Sequence, residues 1–223
     1  MYEVEVKVPA DLELIRERLE AIDAEHVGTV EQADTYYDAP HRSFESTDEA
    51  LRIRRERGSA EGIPSCNVTY KGPLLEEASK TRVELETSVG DGEALNAILA
   101  HLGFDPVATV EKRRELYAVD SYTVTLDTVA EVGEFVEVER EVEATDDGSD
   151  GVRAQGTNGV QAEDGVQEDV MDGVLDDGPA QVAADDEAEI AAVREGAYAV
   201  LEKLGLDPSE QIRTSYLELL CSS

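Results

Sequence analysis

Charged and apolar side chains alternate along short segments of this chain, and this alternation limits what it can fold into. In the first segment, Glu3, Glu5 and Lys7 alternate with Val4 and Val6. A period of two places the charges on one face of a β-strand and the apolar side chains on the other. Eight strands are predicted on this basis, at 2–8, 29–38, 50–57, 66–72, 81–89, 107–117, 122–129 and 134–142. Most follow one another through short connections, which favours antiparallel pairing.

Helices are predicted between and after these strands. Asp11 caps an amphipathic helix, Asp91 caps a second helix that ends at Gly103, and a third spans about 186–204. The predicted fold class is therefore α+β, with an antiparallel sheet and flanking helices.

Basic residues are scarce in the chain but concentrated on the polar faces of the strands. The 223 residues include 52 acidic and 19 basic side chains, for a net charge of −33. One charged strand face is usually a solvated face with cross-strand ion pairs, but seven such faces are harder to explain in this way. Four of the five lysines lie in this set of cations, which comprises Lys7, Arg52, Arg54, Lys71, Lys80, Arg82, Lys112 and Arg114.

Carboxylates occupy the same polar faces as these cations. They are Glu3, Glu5, Glu84, Glu86, Asp127, Glu137 and Glu139. Eight antiparallel strands can close into a barrel, whose interior would then hold both sets of charges. Arg and Lys bind polyphosphate, and hard carboxylate oxygens bind Mg²⁺ or Mn²⁺. The pattern therefore predicts a closed eight-stranded barrel with a site for a metal–triphosphate.

The composition excludes several classes of function. The acidic surface would repel the phosphates of a nucleic acid and anionic lipid, and no apolar run is long enough to span a membrane. The acidic start does not resemble a signal peptide, so we expect a cytoplasmic protein. Cys66 and Cys221 form neither a disulfide framework nor a metal-ligand pattern. Abundant carboxylate with little lysine also predicts a halophilic source.

Residues 143–189 differ from the rest of the chain. They contain 15 acidic residues, one basic residue and no aromatic residue, with repeated Asp-Gly units. Such a segment buries too little apolar area to offset its ordering entropy, which predicts a disordered acidic insertion in a single domain over 1–223. A calcium loop at 146–157 is the alternative, but Thr157 stands where the EF-hand pattern requires an acid.

Several of these segments resemble the CYTH superfamily of triphosphate tunnel metalloenzymes. Glu3-x-Glu5-x-Lys7 matches the family signature, and LRIRRE, TYKGP, KTRVELE, KRRELY and LDTVAEVGEFVEVE follow in the family's order. The resemblance covers about 1–142 and 185–220. EQADTYYD and the terminal SYLELL are most similar to the class IV adenylyl cyclase branch.

The resemblance implies roles for the charged residues. Glu3, Glu5, Asp127, Glu137 and Glu139 match the ligands of divalent metals, Mg²⁺ or Mn²⁺. The eight cations match the phosphate-binding set, and Asp127, Lys112 and Arg114 are the residues expected to be catalytic. Glu84 and Glu86 either orient the cations or complete the metal shell.

The function that the resemblance implies is cyclisation of ATP to 3′,5′-cyclic AMP and pyrophosphate. Hydrolysis of inorganic triphosphate, thiamine triphosphate or a nucleotide is the alternative, because the same tunnel would serve a water nucleophile. A non-catalytic polyphosphate-binding module is a second alternative, although anion binding alone would not need so many carboxylates. Relatives of this kind commonly pair, so a homodimer is an open expectation.

Overall fold

The barrel predicted from the sequence is present in the structure, a computed structural model that describes residues 2–58, 64–75, 80–143 and 184–222. Its strands are β1 (Tyr2–Pro9), β2 (Glu25–Asp38), β3 (Ala50–Gly58), β4 (Ser65–Leu74), β5 (Arg82–Ser88), β6 (Asp105–Val119), β7 (Tyr122–Val129) and β8 (Gly133–Val142). They close in the order β1-β5-β4-β3-β2-β6-β7-β8, and every described pair is antiparallel. The strand ends lie within four residues of the predicted positions.

Five α-helices accompany the described strands. They are α1 (Leu12–Ala21), α2 (Phe44–Thr47), α3 (Gly92–His101), α4 (Ala184–Lys203) and α5 (Tyr216–Cys221), with a 3₁₀ turn at Pro208–Glu210. Asp11 and Asp91 accept hydrogen bonds from the first backbone N–H groups of α1 and α3, so both predicted caps are confirmed. The sequence did not predict the two short helices α2 and α5, because four or six residues show no clear periodicity.

The main hydrophobic core lies outside the barrel. It joins the outward faces of β1, β7 and β8 to α1 and α4 through Val6, Val8, Val124, Leu126, Val136, Val138, Leu12, Ile15, Leu19, Ala197, Val200, Leu201 and Leu204. Because helices cover the apolar faces of β1, β7 and β8, the alternating charged faces of these strands point into the barrel.

Gly196 allows α4 to approach the barrel closely. The Tyr122 hydroxyl donates a hydrogen bond of 2.9 Å to the Val193 carbonyl oxygen. A Cβ atom at Gly196 would lie 1.9 Å from that hydroxyl oxygen. A side chain at this position would therefore force the helix away from β7.

Most of the predicted acidic insertion lies outside the described residues. Residues 184–189, which were included in the predicted insertion, form the start of α4 instead. Among the described residues, no helix combines the length and the apolar character needed to cross a membrane.

Candidate active site

The barrel encloses a cavity of about 840 Å³, and most of the predicted site residues line it. All eight predicted cations do so, as do Glu3, Glu5, Glu137 and Glu139 among the predicted metal ligands. Glu84 and Glu86 line it as well. Asp127 does not. Arg55, which alternation places on the outer face of β3, contacts Glu93 there at 2.6 Å.

A carboxylate cluster forms where β1 pairs with β8. Glu5 lies directly opposite Glu139 in the register, and Lys7 lies opposite Glu137. Burial and the negative charges of Glu3, Glu137 and Glu5 raise the pKa of Glu139 to about 7, against the attraction of Arg114. Glu139 therefore lies where a positive charge would be favourable.

This cluster fits a divalent metal in the chemistry of its donors. In the described part of the chain, no three such side chains yet converge at ligating distance. Each carboxylate is drawn to a neighbouring cation instead: Glu3 to Lys71, Glu5 and Glu137 to Lys7, and Glu139 to Arg114. All four are hard oxygen donors on adjacent strands, as Mg²⁺ or Mn²⁺ requires.

A first pair of cations is held by Asp34, which is not among the predicted site residues. Asp34 lies opposite Arg54 in the β2–β3 register and accepts hydrogen bonds of 2.7 Å from both Nε and Nη2 of Arg54. Arg52 adds a contact of 3.4 Å. Burial would raise the pKa of Asp34, but the two guanidinium groups hold it well below its usual range. Alternation along β2 places Asp34 on the inner face, a signal that was present in the sequence.

A second pair of cations is held by Asp127 in the same way. Asp127 lies opposite Arg114 in the β6–β7 register and accepts hydrogen bonds of 2.7 and 2.5 Å from its Nε and Nη2. Lys112 Nζ lies 3.2 Å from the same carboxylate. Asp127 is 0% exposed. The structure therefore places it behind the cations, and not on the cavity surface where the predicted metal ligand would lie.

Arg114 connects this second pair to the carboxylate cluster. Its Nη2 also contacts Glu137, and its Nη1 lies 3.8 Å from Glu139. The pKa of Glu137 is held well below its usual range because Arg114, Lys112 and Lys7 outweigh the effect of burial. One guanidinium group thus contacts both Asp127 and two candidate metal ligands.

Three further cations lie on or next to β4 and β5: Lys71 on β4, Lys80 just before β5 and Arg82 at its start. Lys71 contacts Glu3 and lies 2.8 Å from Glu84, which also lies 3.8 Å from Arg52. Glu84 therefore contacts two of the predicted cations, and it also interacts with the candidate metal ligand Glu3. Glu86 instead accepts hydrogen bonds from Thr69 and Asn67.

Lys80 and Arg82 complete this part of the cavity wall. Burial and the charge of Lys7 lower the pKa of Lys80 to about 8. Arg82 donates a hydrogen bond of 2.9 Å to the backbone carbonyl of Asp48, at the end of α2.

The arrangement combines two kinds of recognition in one enclosed space. Fixed guanidinium and ammonium groups are suited to bind and orient phosphoryl oxygens, and the carboxylate cluster beside them is suited to bind a divalent cation. In an enclosed site both interactions are stronger than in water. Such a site suits chemistry on a polyphosphate chain.

Comparison with known proteins assigns the fold to a family. The family model of the CYTH domain matches residues 1–168. A provisionally named adenylate cyclase of Methanocaldococcus jannaschii is 37% identical over 143 residues, which are 64% of this chain and 78% of that protein. The adenylate cyclase CyaB of Aeromonas hydrophila is 31% identical over 108 residues, covering 48% of this chain and 51% of that protein.

Solved structures share the whole architecture. A Pyrococcus horikoshii protein superposes with a TM-score of 0.74 at 32% identity, covering 99% of this chain and 98% of that one. A Hippeastrum protein, provisionally named an adenylyl cyclase and described as having a dominant triphosphatase activity, superposes with a TM-score of 0.55 at 14% identity. That match covers 99% of this chain and 95% of the other, and it shows the fold alone.

Proposed function

The chain belongs to the CYTH domain family, and from this premise we propose that it is a metal-dependent enzyme that converts ATP to 3′,5′-cyclic AMP and pyrophosphate. The observation that carries the proposal is the joint lining of the cavity by eight cations and a carboxylate cluster. Two relatives named as adenylate cyclases favour cyclisation over other chemistry on the same substrate class.

The cations perform the binding and most of the charge stabilisation. Arg52 and Arg54 are fixed by Asp34 and would hold the triphosphate chain in one orientation. Lys112 and Arg114 lie nearer the carboxylate cluster and would neutralise the charge that develops on the departing pyrophosphate. Because these groups are already fixed, little reorganisation is needed at the moment of reaction.

Glu3, Glu5, Glu137 and Glu139 would hold the divalent metal on which enzymes of this family generally depend. When bound, Mg²⁺ or Mn²⁺ would acidify the ribose 3′-hydroxyl and screen the triphosphate charge. The catalytic role expected of Asp127 would be that of a base, but its burial and its two cationic partners favour a role in positioning Lys112 and Arg114.

Product analysis tests the proposal. The protein is incubated with Mg²⁺ or Mn²⁺ and ATP, and the products are resolved by phosphorus NMR. Cyclic AMP with equimolar pyrophosphate is the expected result, and added EDTA should abolish it. Cyclic AMP formation at the same rate in EDTA would refute metal dependence.

Variants test the assigned carboxylates. Glu5→Ala and Glu137→Ala should each lower turnover by at least about 10²–10³-fold with the fold intact, because each removes a candidate ligand of the metal that screens the triphosphate charge. Glu111→Ala is the matched control, since Glu111 is exposed and alternates with the inward-facing Val110 and Lys112. Full activity in both site variants would contradict the metal assignment.

Triphosphate hydrolysis is the second candidate. The Hippeastrum protein, which shares the fold, is described by a dominant triphosphatase activity. The same residues would bind the chain while water attacked the terminal phosphorus. Orthophosphate without cyclic nucleotide, from ATP or inorganic triphosphate, would favour this candidate. Binding without turnover of either substrate would favour a non-catalytic module.

A further inference from the structure

Tyr216, the first residue of α5, reaches into the tunnel from a helix that follows the barrel in sequence. Its side chain lines the cavity, although the residue is only 6% exposed. Around it, α5 packs on Val110, Val129 and Phe135, and the Tyr216 and Phe135 rings lie 5.2 Å apart. The backbone N–H of Ile212 donates a hydrogen bond of 2.8 Å to the carbonyl of Lys7, which ties the preceding segment to β1. Tyr216 is therefore fixed against the tunnel wall.

The ring of Tyr216 contacts two of the predicted phosphate-binding lysines. Lys7 Nζ lies 4.1 Å from the ring centroid and Lys112 Nζ lies 5.1 Å from it. Ammonium groups at these distances are attracted by the π-face. These lysines come from β1 and β6, and the Tyr216 ring contacts both.

The hydroxyl of Tyr216 is buried and has no hydrogen-bond partner among the described residues. The Glu137 carboxylate lies near enough for this hydroxyl to help lower the pKa of Glu137, so Glu137 is the competing acceptor. A phenolic hydroxyl carries its proton at neutral pH and can donate it in a hydrogen bond. A buried donor without an acceptor lowers the stability of the protein, and a ligand that accepts its hydrogen bond would remove this cost.

We propose that Tyr216 is a substrate-binding residue whose hydroxyl donates a hydrogen bond to an oxygen of the bound triphosphate while its ring positions Lys7 and Lys112. This inference rests on the proposed function, since it takes a triphosphate as the ligand. We expect an anion at this point because the hydroxyl is a donor and the ring lies beside the ammonium groups of Lys7 and Lys112, which offset the nearby negative charge of Glu137.

The deciding variant is Tyr216→Phe, which removes the hydroxyl and keeps the ring. Binding of bismethylene triphosphate, an inorganic analogue that cannot be hydrolysed, is measured by calorimetry with saturating Mg²⁺. We expect affinity to fall by about 10- to 100-fold, which corresponds to the loss of one hydrogen bond to a charged group. The melting temperature of the ligand-free protein should stay the same or rise, because an unpartnered donor is removed.

Two further variants separate the hydroxyl from the ring and from general packing. Tyr216→Leu removes both parts and should weaken binding more than Tyr216→Phe does. Tyr122→Phe is the matched control, because the Tyr122 hydroxyl bonds to Val193 outside the cavity. It should lower the melting temperature and leave the affinity for the analogue unchanged.

The outcomes distinguish this inference from the proposed function. If the wild-type protein bound the analogue and Tyr216→Phe protein bound it with an affinity within twofold of the wild type, only the role of the hydroxyl would be overturned. If Tyr216→Leu protein bound the analogue with the same affinity as Tyr216→Phe protein, the role of the ring would be overturned. Wild-type protein that does not bind the analogue would overturn this inference and the triphosphate site together.

Discussion

Asp34 and Asp127 hold two neighbouring parts of the tunnel wall by the same device. Each lies opposite an arginine on the adjacent strand and accepts hydrogen bonds from the Nε and Nη2 atoms of that arginine. Each also contacts a second cation, which lies two residues earlier on the same strand as the arginine. The surroundings differ. The side chains of Arg52 and Arg54 are 11% and 13% exposed, whereas those of Lys112 and Arg114 are 4% and 8% exposed.

The connections of the two pairs differ as well. Arg114 contacts Glu137 and Glu139, so the Asp127 pair is joined to the candidate metal ligands. Arg52 lies near Glu84, which contacts Lys71. Under the proposed function, we expect the Asp34 pair to contribute mainly to substrate binding and the Asp127 pair, which contacts the candidate metal ligands, to contribute to the reaction.

Asp127→Asn should have the largest effect. It leaves Arg114 and Lys112 buried with less negative charge around them, and breaking a buried ion pair costs about 3–5 kcal/mol. Urea denaturation should show this loss in the free energy of unfolding, and turnover should fall below detection. Asp120→Asn is the matched control, because Asp120 pairs with Lys203 at the surface. A loss no larger than that of the control would remove the distinction between the two pairs.

Asp34→Asn should have a smaller effect on stability. The guanidinium groups of Arg52 and Arg54 are partly exposed, so water can replace some of the lost interaction, and we expect a cost of about 1–3 kcal/mol. Because Asp34 would no longer hold the guanidinium groups of Arg52 and Arg54 in a fixed orientation, KM for ATP should rise by about tenfold, with a smaller fall in kcat. Steady-state kinetics check this, and Asp34→Glu should recover part of the affinity. A fall confined to kcat would mean that the Asp34 pair acts in the reaction.

The two aspartates also show what the sequence could predict. Alternation along single strands predicts the barrel and the inward charges, because each strand carries that signal alone. The partnership of Asp34 with Arg54 depends on the register between β2 and β3, which no single strand encodes. Asp127 was predicted to face the cavity, but its oxygens are occupied by Arg114 and Lys112. Tyr216 lies on a helix too short to show a period.

Acid titration sharpens the comparison. The pKa of Asp34 is held below its unfolded value by Arg52 and Arg54, despite its burial. Its contribution to stability is therefore present above the unfolded pKa, about 3.9, and is lost as the pH falls through the folded pKa. The free energy of unfolding, measured from pH 6 to pH 2, should fall less steeply with decreasing pH in Asp34→Asn protein than in the wild type. Parallel curves would show that Asp34 does not carry this linkage.

Arg55→Ala should have the smallest effect on stability and binding. It tests whether binding depends on which way an arginine of β3 faces or only on the presence of an arginine there. Arg55 neighbours Arg54 on β3 but faces outward, where its side chain is 39% exposed and pairs with Glu93, itself 82% exposed. Exposed pairs contribute about 0–1 kcal/mol because solvent screens them. We therefore expect a small change in unfolding free energy and no change in triphosphate affinity, whereas Arg54→Ala should weaken that affinity. If Arg55→Ala weakened binding as much as Arg54→Ala, net charge along β3 would govern binding, and the argument from inward-facing side chains would be wrong.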